Sequence, residues 1–318
     1  MALRALIPAA APVNYHSGVS TPAEPKTFHE FFAGGGMARL GLGPGWRCLT
    51  ANEIDHKKAA VYRANFGHEA LIVGDIATLG ADDLRGHPDL AWASFPCQDL
   101  SLAGAGAGLG GARSGTFWQF RRLIDELATA RRAPRLVVLE NVCGAITSHG
   151  GKDFRAIADA LAEAGYNIGA LIIDAAHFLP QSRPRLFVIG ASAAIRIPAA
   201  TLAVAPDPRW TTRALLEVQR TLSPLAASMW RWWTMPAPDG RKPRLSDLID
   251  RDPPDANWHT PQQTERLFSM MSRLNRAKVA AKEREAEAAG ATIAGAVYKR
   301  TRLGPGNARL QRAEVRFD

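Results

Sequence analysis

The sequence predicts a doubly wound α/β fold, with a mostly parallel sheet covered by helices on both faces and a second, smaller region after it. Two observations carry this. Between residues 27 and 191, strand-like and helix-like segments alternate in the βαβα rhythm that requires crossover connections. Each of the first five strand-like runs also ends in a glycine turn, a carboxylate or a thiol, where an open parallel sheet presents its ligand site.

The first element, "TFHEFFA" (27–33), is an apolar run stopped by Gly34-Gly35-Gly36, after which "GGGMARLGLG" turns into a short helix. "RCLTANEI" (47–54) reads as a strand. "DHKKAAVYRANF" (55–66) has an Asp N-cap and helical spacing. "EALIVGD" (69–75) and "DLAWASF" (89–95) read as the third and fourth strands, and "TFWQFRRLIDELATARR" (116–132) as an amphipathic helix. "RLVVLENV" (135–142) is the fifth strand, and "DFRAIADALAEAG" (153–165) a helix stopped by Gly165. "YNIGALIIDA" (166–175) and "RLFVIGA" (185–191) complete the set. Beyond about 195 the pattern weakens and Pro, Trp and Arg become frequent, apart from a helical stretch over 260–290. The expected organisation is an N-terminal arm (1–26), an α/β domain (27–194) and a further region (195–318).

With 318 residues, 47% of them hydrophobic, the chain can bury a sizeable core. No run approaches 18 apolar residues, so no membrane span is expected. The N-terminus makes a poor secretory signal. Cys48, Cys97 and Cys143, odd in number and widely spaced, are no disulfide framework, and a reducing cytoplasm is the expected setting. No CxxC or HxxxH pattern occurs, so no metal site is expected. The net charge of +9 is concentrated late: residues 191–318 carry 21 Lys and Arg against 13 Asp and Glu. That imbalance suggests a polyanionic partner, nucleic acid first, although a solvated basic surface gives the same count.

The glycine turn lacks the GxGxxG pattern of dinucleotide sites and has no Walker lysine. Glu53, about 20 residues on, can hold a ribose diol, and Asp75 can accept from an adenine amino group. This set suits a nucleoside cofactor without a pyrophosphate. Cys97 follows Pro96 at the end of the fourth strand, where a thiol is a nucleophile if positive charge lowers its pKa. Glu140 on the neighbouring strand end can act as an acid, and Arg183 and Arg185 can supply charge or form structural ion pairs.

Together, "FFAGGGMARLGLG", "NEID", "GDI", "FPCQDLS", "RSGTFWQF", "ENV" and "QSRPRLFVIG" resemble the DNA (cytosine-5) methyltransferases, in family order and across residues 28–191. The resemblance implies a Rossmann-like methyltransferase fold with seven strands, S-adenosylmethionine as methyl donor, no metal, and a cytosine flipped out of double-stranded DNA. It implies that Cys97 attacks C6 of cytosine and Glu140 stabilises the protonated N3. Arg185 and Arg183 would support the base and sugar-phosphate. Phe32, Ala33, Gly34, Gly36 and Pro96 would line the cofactor, Glu53 would bind its ribose, and Ile54, Asp75 and Ile76 would flank its adenine. The stretch 102–115, "LAGAGAGLGGARSG", would be the loop closing over the site.

Three departures stand out. Glu30 replaces the usual Asp, and Met37 a frequent glycine. The family's later segments are not evident, since "NARLQRAEVRFD" carries only a superficial "ARLQ". The chain is therefore expected to stop inside the recognition region, as a fragment, a degraded product or half of a split enzyme whose second polypeptide supplies the rest. An RNA cytosine methyltransferase and a non-catalytic nucleic-acid-binding remnant are the rival readings. Trp230, Trp232, Trp233 and the late arginines read either as base-stacking and phosphate contacts or as core aromatics and surface charge.

Overall fold

The computed structural model describes residues 24–96, 115–238, 242–250, 253–254, 256–303 and 309–317. They divide into two compact units. One comprises described residues of Met1–Ile173 and Pro184–Pro236, and the other those of Asp174–Arg183 and Ala237–Asp318. The first unit runs past 195 because Trp210, Trp230 and Trp233 are packed into its core.

The first unit is built on seven strands: β1 (Lys26–Phe31), β2 (Trp46–Glu53), β3 (Leu71–Val73), β4 (Leu90–Ala93), β5 (Leu136–Val142), β6 (Tyr166–Asp174) and β7 (Pro184–Ser192). Their order in the sheet is β3-β2-β1-β4-β5-β7-β6. The pairings β1–β2, β2–β3, β1–β4 and β4–β5 are parallel. β7 pairs with β5 antiparallel, with Val142 opposite Arg185 and Glu140 opposite Phe187. That reversal matters to the site: the beginning of β7 lies beside the ends of β4 and β5.

The crossover helices are α1 (Met37–Leu42), α2 (His56–Phe66), α3 (Thr116–Thr129) and α4 (Lys152–Glu163). Asp55 caps α2 as its sequence predicts, accepting from the amides of Lys57 and Lys58. α3 buries Phe117, Phe120, Leu123, Ile124 and Leu127, and α4 buries Phe154, Ile157 and Leu161. These stripes recur every three or four residues, so each helix presents one apolar side to the sheet. Phe31 of β1 meets Phe120 edge to face at 5.3 Å in this core.

The outer edge of β6 is not left bare. The Ile168 amide donates to the Met229 carbonyl (2.9 Å), the Arg231 amide to the Ile168 carbonyl (2.6 Å), and the Ile172 amide to the Trp210 carbonyl (2.7 Å). The short elements β8 (Leu202–Ala203), α5 (Arg213–Gln219), α6 (Pro224–Ser228) and β9 (Trp232–Trp233) belong to this flank. Trp230 packs on Phe154 at 6.2 Å and on Trp232 at 5.4 Å. Trp230 and Trp233 are 8% exposed, so of the two readings of these tryptophans the core one holds for both.

In the second unit, α7 (Leu245–Leu248) precedes α8 (Pro261–Ser269), α9 (Arg273–Ala289), β10 (Gly295–Leu303) and β11 (Arg309–Phe317). The helical stretch 260–290 is thus two helices. Met271, 5% exposed, leaves the helical path to bridge Ala313, and Ser272 caps α9 through the Asn275 amide. β10 and β11 form an antiparallel ribbon.

Candidate functional site

β1 delivers the glycine turn. Phe32 takes a left-handed φ of 58°, a conformation that costs a residue with a Cβ about 1–2 kcal/mol, and Gly34 and Gly36 follow at 56° and 84°. At Gly36 a Cβ would stand 2.3 Å from the Phe66 ring, so close packing and backbone angle both demand glycine there. A Cβ at Gly34 would meet nothing within 4 Å, so the space in front of that backbone is open.

Glu53, buried at the end of β2, ties this turn to α2. One carboxylate oxygen accepts from the Gly34 amide and the other from the Asp55 amide, both at 2.8 Å. A carboxylate offers about four acceptor positions, so capacity for a diol remains. Beside it Ile54 is 59% exposed, an apolar side chain at a strand end that a flat ring can cover. Asp75 caps the next turn through the Ala77 amide (2.9 Å), and Ile76 is buried beneath it. Asn52 was not singled out from sequence. It holds the ends of β2 and β3 together by donating to the Gly74 carbonyl (3.0 Å). Its only signal was a polar residue inside an apolar strand. Ala33 is buried and Phe32 packs partly on the main core. These groups fit a nucleoside-bearing cofactor: an open glycine turn, a buried carboxylate and an exposed apolar residue at one end of the sheet.

Two strands from the glycine turn that follows β1, Glu140 forms an ion pair with Arg185, Oε1 to Nε at 3.0 Å. Asn141, 5% exposed, donates to the Phe95 carbonyl (3.2 Å) and accepts from the Val142 amide (2.8 Å). It thereby fixes the end of β4, and with it Pro96, against the end of β5. Arg183 does not share this arrangement. It is exposed, in the second unit, and its amide donates to Asp174 Oδ1 (2.6 Å). Cys97 and the glycine-rich loop, apart from Gly115, lie outside the described residues. Among the described residues no group of His, Cys, Asp and Glu is arranged to hold a metal. A cavity of about 520 Å³ lies at the opposite end of the strands, lined by Leu136, Ile189, Trp46 and Trp233, remote from these groups.

β1 also buries two ionisable side chains that no sequence feature marked as a pair. Burial pushes Glu30 up from 4.5 to about 7, against the Ala38 and Arg39 amides that hydrogen-bond it. Burial, with help from Arg132, holds His29 down from 6.5 to about 4, and neither ring nitrogen has a hydrogen-bond partner among the described residues. The fold favours the neutral form of each, so their pH dependences oppose. The Glu30 contribution is full below pH 4.5 and is lost as pH rises through 7. The His29 contribution is full above pH 6.5 and is lost as pH falls through 4. Each is worth about 3 kcal/mol. Urea denaturation between pH 4.5 and 6.5 is expected to show nearly flat stability in the parent. His29→Leu should make stability fall with rising pH, and Glu30→Gln should make it rise. Parallel profiles in the two variants would contradict the assignment.

A glycine turn, the separate carboxylates Glu53 and Glu140 and an arginine at one end of a doubly wound sheet of this strand order define a Rossmann-like methyltransferase fold. The comparisons carry this to a family. The model of the C-5 cytosine-specific DNA methylases matches residues 26–287, and the chain belongs to that family. It is 34% identical to the Type II methyltransferase M.BsuFI of Bacillus subtilis over 166 residues, 52% of this chain and 39% of that protein. It is 33% identical to the Type II methyltransferase M.HaeII of Haemophilus aegyptius over 163 residues, 51% of this chain and 49% of that protein. The chain thus spans half or less of the curated relatives it matches. Among solved structures, S. pombe Dnmt2 methyltransferase aligns over 54% of this chain and 51% of its own, with 22% identity and a TM-score of 0.42.

Proposed function

We propose that this chain carries the catalytic half of a DNA cytosine-5 methyltransferase acting through Cys97 on a flipped-out base. The observation that supports it most is the convergence at one end of the sheet: the Glu53-tethered glycine turn on one side, and the Asn141-held end of β4 beside the Glu140–Arg185 pair on the other.

S-adenosylmethionine, when bound, supplies the methyl group. Gly34 offers it backbone without obstruction, Glu53 takes the ribose, and Ile54, Asp75 and Ile76 flank the adenine. Cys97, the residue that follows Pro96 in the sequence, is the nucleophile. The Cys97 thiolate forms a bond to C6 while Glu140 holds a proton at N3, so the electrons of the C5–C6 double bond become available at C5 to bond the methyl carbon, whose bond to the donor's sulfur would break and leave its electron pair on that sulfur. A base then removes the C5 proton, the electrons of the C5–H bond re-form the C5–C6 double bond, and the thiolate leaves C6 with the electrons of the C–S bond. Arg185 fixes the Glu140 carboxyl in the plane the base must enter. Arg183 supports the sugar-phosphate. Double-stranded DNA is the substrate.

The test is a trap. The purified chain is incubated with S-adenosylmethionine and mixed-sequence duplex containing 5-fluorocytosine, whose C5 fluorine cannot leave as a proton. A covalent adduct that requires cofactor is expected, and Cys97→Ala should abolish it. An adduct that survives Cys97→Ala would refute the assignment. Absence of both adduct and cofactor binding in folded protein would support the non-catalytic reading instead.

A further inference from the structure

The β10–β11 ribbon has two unlike faces. On one, Ala313 and Val315 are buried with Met271, and Leu267, Val279 and Phe317 pack around them. Side chains alternate along a strand, so the other face includes Tyr298 and Arg300 from β10 and Arg312, Glu314 and Arg316 from β11. Three of these are arginines. Arg300 stands directly opposite Arg312 across the ribbon. The guanidinium carbons of Arg300 and Arg316 lie 5.0 and 5.8 Å from the centre of the same Tyr298 ring. The one carboxylate, Glu314, reaches Arg300 at 3.6 Å.

Like charges directly opposed destabilise a strand pair, and two cations on one ring repel each other. One glutamate does not offset three arginines. A bound anion would remove the cost, and its shape follows from the spacing. Arg312 and Arg316 are four residues apart, about 13 Å along a strand, so no small anion spans the set. A duplex carries a charge every ~1.7 Å of its axis and does. We infer that this face of the ribbon is a phosphate-contacting surface for duplex DNA, with Arg300, Arg312 and Arg316 as the contacts and Tyr298 as the ring that orders two of them. The choice of DNA as the polyanion rests on the function proposed above. The surface itself rests on the ribbon.

The experiment is fluorescence anisotropy of a labelled duplex against the full chain across a salt series. Each phosphate contact contributes about 0.9 to the slope of log K against log salt. The triple variant Arg300→Ala, Arg312→Ala, Arg316→Ala is expected to bind at least tenfold more weakly, with a slope shallower by about 2–3. Removing the same charge elsewhere, by Arg47→Ala, Arg63→Ala and Arg220→Ala, should leave the slope unchanged. The triple Arg→Lys variant should keep most of it, which separates charge from folding. An unchanged slope in the ribbon variant, or an equal loss in the control, overturns the inference. So does a parent chain that binds no duplex, or that prefers structured RNA tenfold. A ribbon-dependent slope in a chain that gives no cofactor-dependent adduct would keep this surface and refute the methyl-transfer reading, so the two fail separately.

Discussion

Glu140→Gln is expected to slow methyl transfer by 10²–10⁴-fold, measured as the single-turnover rate of cofactor-dependent adduct formation. The range is that of a positioned acid removed from a reaction that needs it. The substitution keeps the shape of the side chain and one oxygen. What it removes is the carboxyl that can hold a proton at N3 of the base. Arg185 Nε lies 3.0 Å from Glu140 Oε1, so the carboxyl is already oriented before any substrate arrives. Pre-orientation of this kind makes a single group worth several powers of ten. The fold should hardly notice: both side chains are partly exposed, and such a pair contributes about 1 kcal/mol or less. Arg185→Gln should slow the reaction less than Glu140→Gln, because it loosens the carboxyl without deleting it. A Glu140→Gln rate within threefold of the parent would remove Glu140 from the chemistry.

Gly169→Ala is expected to cost about 3–5 kcal/mol, the range of severe overpacking, and to lower the Tm of the first unit by on the order of 10 °C. The cause is not backbone angle. A Cβ on Gly169 would stand 2.1 Å from the Arg231 carbonyl oxygen and 2.6 Å from Trp233 Nε1. The carbonyl is main chain, held on its N-terminal side by the hydrogen bonds that Ile168 makes with Met229 and Arg231. It has no rotamer by which to escape, so relief requires the whole 229–233 segment to lift from β6. Gly45→Ala is the control, since a Cβ there meets nothing within 4 Å. Equal melting of the two variants would show that the segment yields easily.

The sheet of the first unit was legible because its strands are apolar runs with abrupt polar ends, and those ends hold the site. The end of β2 carries Glu53 and the end of β5 carries Glu140 and Asn141, each an acid or amide stopping a run of Val, Leu or Ala. The ribbon was not legible. In β11, "RLQRAEVRF", only Ala313 and Val315 are buried, and the charged residues around them mask the alternation of a strand. The break between α8 and α9 was hidden because Met270-Met271 continues a helical apolar stripe, and only the distant pairing with Ala313 draws Met271 out. Arg183 and Arg185 looked equivalent in "QSRPRLF", yet two residues separate a member of β7 from a member of a loop. The pairing of His29 with Glu30 was invisible for a different reason: adjacent residues on a strand face opposite ways, Glu30 toward the nearby Ala38 and Arg39 amides and His29 within reach of the charge of the distant Arg132.

The hydrogen bonds along the outer edge of β6 also bear on self-association. A nine-residue strand at a sheet margin, with five consecutive apolar or glycine residues from Ile168 to Ile172, is a template on which another chain's strand can add. Met229, Arg231 and Trp210 occupy its donors and acceptors at Ile168 and Ile172, so the protein blocks its own polymerisation with a piece of irregular backbone. Any change that frees this piece exposes a strand ready to pair between molecules, and turbidity in a concentrated sample would register it before activity does.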